Sequence, residues 1–312
     1  MRDESVEDSA PAVSLRFWGV RGSIPSPGPE TVEYGGNTSC LELRLGNEVL
    51  VLDAGSGIRR LGLALAHELG ETSLNTTILI SHTHWDHIQG LPFFRPAYQR
   101  ANQIRVLGAP GTREKLRAAL GNQMDPIQFP VSLESLAGIA AIDEFASDPT
   151  TIGSFVVRSI GLNHPGGCTG FRVAAGATSI AYLPDHEPYQ SAIDSSDRVV
   201  AAGASRSEAE LIRFIEGSDL LILDSQYDRT EYPCHIGWGH GCVDDSVGLA
   251  LRAGVGGLVL FHHDPDHDDR RIDTMLQQAR RQAAKIGSPM QIEAARELTQ
   301  IVPRARQKKL AA

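Results

Sequence analysis

The stretch Ile80-Ser81-His82-Thr83-His84-Trp85-Asp86-His87-Ile88-Gln89-Gly90-Leu91-Pro92 decides how the rest of the chain is read. The run that leads into it, Thr76-Thr77-Ile78-Leu79-Ile80, is β-branched and apolar, so it reads as a buried strand ending at Ser81. Three histidines and an aspartate then fall within six residues, where the chain leaves that strand for a turn. Imidazole and carboxylate are donors that suit divalent zinc, iron or manganese. Taken alone, the cluster also reads as a histidine-rich polar loop. Its place directly behind a buried strand favours metal ligation, and a second ion would need two more such side chains from elsewhere.

His82-x-His84-x-Asp86-His87 resembles the signature of the metallo-β-lactamase fold. The extension Ile88-Gln89-Gly90-Leu91-Pro92-Phe93-Phe94 is similar to its phosphodiesterase branch. That branch holds the tRNA 3′-processing endonucleases (tRNase Z), the cyclic-phosphate phosphodiesterases of phosphonate breakdown, and cyclic-nucleotide phosphodiesterases, including those that erase cyclic-nucleotide defence signals. The resemblance runs from about Leu15 to Glu293 and implies an α/β fold, the four-layer αββα sandwich. It places one domain over residues 13–303, between a 1–12 tail and a basic 304–312 tail.

Upstream, Leu15-Arg16-Phe17-Trp18-Gly19-Val20 reads as a first strand, followed by the turn-rich loop Arg21-Gly22-Ser23-Ile24-Pro25. Two more strands follow, at 37–43 and 49–53, the second closing on Asp53-Ala54-Gly55. In the resembled family an aspartate at the Asp53 position braces the metal loop by hydrogen bonding, rather than ligating. Downstream, 104–108 reads as a strand and 111–120 as a short helix. The proline-interrupted stretch 121–136, with Phe129, borders or covers the site, a choice its pattern leaves open. The long basic arm with which tRNase Z holds tRNA is not evident.

The second half repeats the pattern of strand and then donor. The strand 155–160 leads to His164-Pro165, and 179–183 leads to Pro184-Asp185-His186. By themselves, a histidine before proline reads as a surface residue and an aspartate after a strand as a turn former. Their order behind the first motif is similar to the family's later metal motifs, which implies that His164 ligates the first ion and Asp185 bridges both. His186 then reads as a neighbour of the site.

Ser207-Glu208-Ala209-Glu210 carries the capping serine and early acids of a helix start. Asp219-Leu220-Leu221-Ile222-Leu223-Asp224 is a further buried strand, and the aromatic, glycine-rich loop after it holds Tyr232, His235, Trp238 and His240. In the resembled branch a histidine at this loop–helix junction protonates the leaving oxygen. His240 occupies the matching place, although His240-Gly241-Cys242 stands where tRNase Z has His-Ser-Thr, and His235 remains the alternative. The last strand, Gly257-Leu258-Val259-Leu260-Phe261, ends at His262-His263. Adjacent strand residues face opposite ways, so one of the two histidines meets the metals. The family's last ligand follows the strand directly, which favours His262; His263 is the alternative.

The implied site therefore holds two divalent ions, zinc favoured and manganese or iron also suited. His82, His84 and His164 take the first, Asp86, His87 and His262 the second, and Asp185 spans both. The resemblance implies attack on phosphorus by a hydroxide between the metals, with Asp86 and His240 as the catalytic pair of side chains. Trp238, Tyr232 and Phe129 are candidates for stacking on a base, and each also reads as ordinary packing. The expected substrate is a small anionic cyclic phosphodiester, foremost a 3′,5′-cyclic nucleotide. Ribose cyclic phosphates and RNA 3′ ends come next, and a catalytically silent metal-binding regulatory module is the reading from another class.

A net charge of −9 argues against a large nucleic-acid footprint, which needs a basic face. It leaves room for a small anion, since bound metals supply local positive charge. No apolar run approaches the roughly 20 residues of a membrane helix, and no signal-type segment follows the charged start, so the expected location is cytoplasmic. Cys40, Cys168, Cys234 and Cys242 show no Cys-x-x-Cys spacing and read as reduced thiols. Family members often pair, so a homodimer is the expected assembly.

Overall fold

Strands buried on both faces are apolar along their whole length, because each face needs a partner layer. The computed structural model describes residues 12–305 and shows that arrangement. The first half forms β1 (Ser14–Gly19), β2 (Cys40–Leu45), β3 (Glu48–Leu52), β4 (Asn75–Leu79), β5 (Gln103–Gly108) and β6 (Ile139–Glu144). The second forms β7 (Thr150–Ile152), β8 (Phe155–Leu162), β9 (Cys168–Ala175), β10 (Thr178–Leu183), β11 (Leu220–Asp224), β12 (Gly257–Phe261) and β13 (Gln291–Ala294), and β14 (Gln300–Ile301) returns to β1. Two seven-stranded sheets result, ordered β14-β1-β2-β3-β4-β5-β6 and β13-β12-β11-β10-β9-β8-β7. The run β3 to β6 is parallel, as is β10 to β13.

The strand period of two divides the apolar residues between layers. Leu50 and Leu52 of β3, with Phe17, Ile222, Val259 and Phe261, fill the space between the sheets. Val49 and Val51 of the same β3 face outward, onto Leu61 and Leu65 of α1 (Ile58–Leu69) and Leu116 and Leu120 of α3 (Arg113–Asn122). On the far side, Leu221, Leu223, Leu258 and Leu260 pack beneath α5 (Arg198–Ile215), α6 (Val243–Arg252) and α7 (Asp269–Lys285). Among the described residues the remaining α-helices are the short α2 (Trp85–Ile88) and α4 (Gln190–Ile193). Helix, sheet, sheet and helix give the four expected layers.

Several boundaries differ from the sequence reading. The helix expected to start near Ser207 begins nine residues earlier, at Arg198, where the Asp197 carboxylate accepts from the backbone N–H of Val199 and Val200. Ser207 lies inside that helix: the alanine-rich stretch before it propagates helix as well as the residues after it, so a local capping pattern did not mark the start. The stretch 121–136 packs on the outer layer of the first half, with Met124 and Leu136 buried there and Phe129 set edge-on to Phe93. The described cysteines are all free thiols, three of them buried. Residues 1–11 and 306–312, on which the two tail readings chiefly fall, lie outside the described residues. Among the described residues no helix is long and apolar enough to cross a membrane.

The parallel strands place the site. Asp53 follows β3, Ser81 and His82 follow β4, Asp185 follows β10, Asp224 ends β11 and His262 follows β12. All lie at the carboxyl ends of their strands, the edge at which open α/β sheets gather their ligands.

Candidate metal centre

Leaving β4, the chain bends sharply and enters α2, so His82, His84, Asp86 and His87 are delivered from one turn and one helical turn. Asp185 arrives from the opposite sheet and lies between two groups of donors. Its Oδ2 is 3.5 Å from His82 Nε2 and 3.6 Å from His164 Nε2, and His164 Nε2 lies 3.0 Å from His84 Nδ1. Its Oδ1 is 3.0 Å from His87 Nε2 and 3.4 Å from His262 Nε2. Asp86 Oδ2 closes that second group, 3.2 Å from His87 Nε2 and 3.1 Å from His262 Nε2. The donor atoms of His82, His84, His164 and Asp185 converge within 4.8 Å of one another, as do those of Asp86, His87 and His262.

The protonation chemistry suits divalent cations. Burial, with His87 beside it, holds His82 well below the ordinary histidine range, and burial likewise lowers His84 and His164. Neutral imidazole is the ligating form. Burial would raise Asp86 and Asp185, but the surrounding histidines outweigh it and keep both carboxylates ionised. Against its own burial, His87 is held well above its usual value by Asp185, Asp86 and Asp53, so positive charge is drawn to this point. Buried His82 Nε2, His87 Nε2 and Asp185 Oδ1 have no hydrogen-bond partner. Orphaned buried donors aimed at one space are costly unless something binds them. The residues present therefore fit a divalent metal centre.

Outside the donors, a ring of partners sets their orientation. Asp53 is fully buried and accepts from Ser81 N at 2.8 Å, Ser81 Oγ at 2.9 Å and Tyr182 Oη at 2.8 Å, with His87 Nδ1 at 2.9 Å. That is a bracing position, and Asp53 is absent from the converging donor groups. Asp53 and His262 both sit at positive φ, 60° and 62°, a conformation uncommon outside glycine and often held at functional sites. His262 Nδ1 meets Gln226 Oε1 at 3.1 Å, and the Gln226 amide donates to Asp264 at 2.8 Å. His263 turns the other way: it is buried, with Nε2 2.9 Å from the Ala295 carbonyl and its ring edge-on to Tyr34.

His240 lies beside both donor groups. Its Nδ1 is 3.0 Å from Asp224 Oδ2 and 4.0 Å from Asp185 Oδ2, and its ring stacks on His262 with centroids 4.9 Å apart. Burial works to lower its pKa, but the Asp224 carboxylate overrides this and raises it to about 9. His235 is elsewhere, stacked on Tyr227 with Nδ1 against the Glu231 carbonyl. His186 is buried and pushed down to about 4 by that burial; its backbone N–H donates to Asp224. Tyr232 donates its hydroxyl to Glu187 at 3.1 Å, whereas Trp238 is 61% exposed beside Gly239, whose carbonyl lies 2.8 Å from His164 Nδ1.

Residues 49–263 match the family model described as the Beta-lactamase superfamily domain. The chain belongs to the beta-lactamase superfamily. Among curated relatives, ribonuclease Z of Picrophilus torridus is 23% identical over 295 residues, covering 87% of this chain and 91% of that protein. Among solved structures, the metallo-beta-lactamase fold protein YhfI from Bacillus subtilis superposes with a TM-score of 0.65 at 19% identity, covering 93% of this chain and 99% of that one. Unliganded yeast PDE1 superposes with a TM-score of 0.65 at 14% identity, covering 94% and 99%. This superfamily member is a metal-dependent hydrolase.

Three residues that hold this superfamily site together drew no functional reading from the sequence. Asp224 was legible only as the end of a strand, yet Asp53 and Asp185 share that signature of an apolar strand closing on aspartate. Gln226 orients His262 and carries no motif. Glu187 is buried and accepts from the backbone N–H of Gly237 at 2.7 Å and Gly239 at 2.8 Å, so it shapes the loop that supports His164.

Proposed function

We propose that this chain holds two divalent ions, zinc first among them, and hydrolyses small cyclic phosphodiesters, foremost 3′,5′-cyclic nucleotides. The observation that carries the reading is the division of donors across Asp185, with the Asp224-held His240 beside both groups. In this reading His82, His84 and His164 hold one ion, Asp86, His87 and His262 the other, and Asp185 both. Bound there, such a pair supplies a hydroxide near neutral pH and offsets the charge that builds on a phosphoryl group.

The chain's own residues do the rest. Asp53 and Gln226 fix the ring orientations of His87 and His262, so that Nε2 of each faces the reaction space. His240 keeps Nδ1 on Asp224, which leaves its Nε2 to donate a proton to the departing ribose oxygen as the P–O bond breaks. Its side chain retains 12% exposure, enough for an edge to reach a substrate. Trp238 offers an exposed ring at the rim for a base, and base–aromatic stacking contributes about 1–3 kcal/mol. The net charge of −9 favours a small anion over an extended polynucleotide. A second reading, processing of RNA 3′ ends, draws on the ribonuclease Z relative.

The deciding experiment is a panel of purine and pyrimidine 3′,5′-cyclic nucleotides, a linear bis-phosphodiester and a precursor tRNA, offered to zinc-loaded and chelator-stripped protein. Metal-dependent ring opening supports the proposal. Cleavage of the tRNA alone moves the function to RNA processing, and silence on every substrate with two ions bound removes the substrate class.

A further inference from the structure

The turn Arg21-Gly22-Ser23 takes part in none of the chemistry assigned above, yet it closes the wall of the second donor group. β1 delivers it, and two backbone bonds stitch it across to the segment after β12: Gly22 N–H donates to His263 O at 2.9 Å and His263 N–H to Val20 O at 3.0 Å. The fully buried Arg21 adds its guanidinium, with Nε donating to Gly35 O at 2.8 Å and Nη1 to Asp264 O at 2.9 Å and His267 O at 2.6 Å. The turn is thereby fixed to the loop that carries His262.

Two features then point inward. Ser23 donates its backbone N–H to Asp86 Oδ2 at 2.8 Å, the oxygen that faces His87 and His262. Gly22 lies so close to His262 that a Cβ there would sit 2.4 Å from ring atoms Nδ1 and Cε1. Ser23, Asp53 and His262 account for three of the four described non-glycine residues at positive φ, so the backbone strain gathers around this group. The first group is open at one donor: His84 is exposed, although Ser81 Oγ lies 3.1 Å from His82 Nδ1. Gly239, whose carbonyl lies 2.8 Å from His164 Nδ1, approaches the His164 ring as closely as Gly22 approaches His262.

We propose that the 21–23 turn is a positioning element for Asp86 and His262, and that it makes the Asp86–His87–His262 group the tighter of two unequal ion sites. The proposal rests on the two-ion reading of the centre. A carboxylate that already accepts a fixed N–H, and an imidazole confined on one face by Gly22, lose little freedom when an ion binds. Groups of this supporting kind alter metal affinity by about 10–100-fold when changed.

The test is zinc content after dialysis, with competitive chelation for affinity, in the full chain and in Gly22→Ala, His84→Ala and the double variant. Gly28→Ala is the control, because a Cβ there meets nothing within 4 Å. Cobalt(II) absorption reports ligand geometry, and circular dichroism with thermal melting shows which variants fold. The expected pattern is two ions in the parent, the weaker lost from His84→Ala, and the remaining ion bound about 10–100-fold more weakly once Gly22→Ala is added. Arg21→Lys, which keeps the cation but not its three carbonyl contacts, is expected to weaken the same ion with the cobalt spectrum altered, and it decides the question should Gly22→Ala not fold. Equal affinities in the parent, or an ion held as tightly in the double variant as in His84→Ala, overturn the proposal while leaving the two-ion reading intact. A parent that takes up no zinc overturns both.

Discussion

Asp53 holds His87: its Oδ2 lies 2.9 Å from the imidazole Nδ1, while the same carboxylate accepts from Ser81 and from Tyr182. One buried anion thus joins the strand that carries the metal motif, the motif's last histidine and the core of the opposite sheet. Replacing it tests how the sandwich sets the site. Asp53→Asn keeps the shape and tolerates the positive φ, but it cancels the charge that fixes the Nδ1–H tautomer. A loss of about 10–100-fold in zinc affinity is expected, measured by chelator competition, with the fold retained by circular dichroism. Unchanged affinity would show that the charge of Asp53 is dispensable.

The assignment of His240 as proton donor makes a prediction that separates it from a ligand. His240→Ala is expected to lower turnover of a cyclic nucleotide by about 10²–10⁴-fold with zinc content unchanged. A diester with a nitrophenolate leaving group needs little protonation and should lose far less. Equal losses on both substrates, or loss of an ion, would reassign His240 to metal binding, for which its place near Asp185 and His262 also qualifies it.

Chelation should destabilise the protein, because three carboxylates around His87 and the two orphaned ring nitrogens of His82 and His87 are left facing one another. With free metal a hundredfold above its dissociation constant, binding contributes about 2.7 kcal/mol to folding. Calorimetric melting of zinc-loaded and stripped protein measures this, and coincident melting curves would argue that the cluster does not bind metal in the native state.

Phe261 links core and centre. It is fully buried between the sheets, packs against Phe17 and edge-on to Tyr182, and precedes His262. Phe261→Ala is expected to cost about 3–5 kcal/mol in denaturant unfolding. It should also weaken zinc binding, since Tyr182 positions Asp53 and Phe261 sets the departure of His262. A stability loss with metal affinity preserved would uncouple the two.

How much of this was legible beforehand followed the range of each interaction. His82, His84, Asp86 and His87 lie within six residues, so their convergence is a property of local chain geometry and can be read without a fold. The buried strands were legible for a similar reason: a strand covered on both faces is apolar along its length, as β12 is and as β11 is up to Asp224, while β4 shows the same burial through β-branched Thr76 and Thr77 before Ile78 and Leu79. The start of α5 was misplaced because Ser207 has the composition of a cap but is held inside a longer helix.

The sequence by itself determined the motif, the strand runs and, through their resemblance to a family, the layered architecture. Tertiary structure brought His262 rather than His263 to the converging donors, with His262 at positive φ and the ring of His263 turned to the carbonyl of Ala295. It also brought Asp224 to His240, Gln226 to His262 and the turn at Ser23 to Asp86, over separations of 16, 36 and 63 residues. Such contacts leave no periodicity in the chain, since one buried carboxylate or amide needs a single partner, and only the stacking of the two sheets determines which partner it meets.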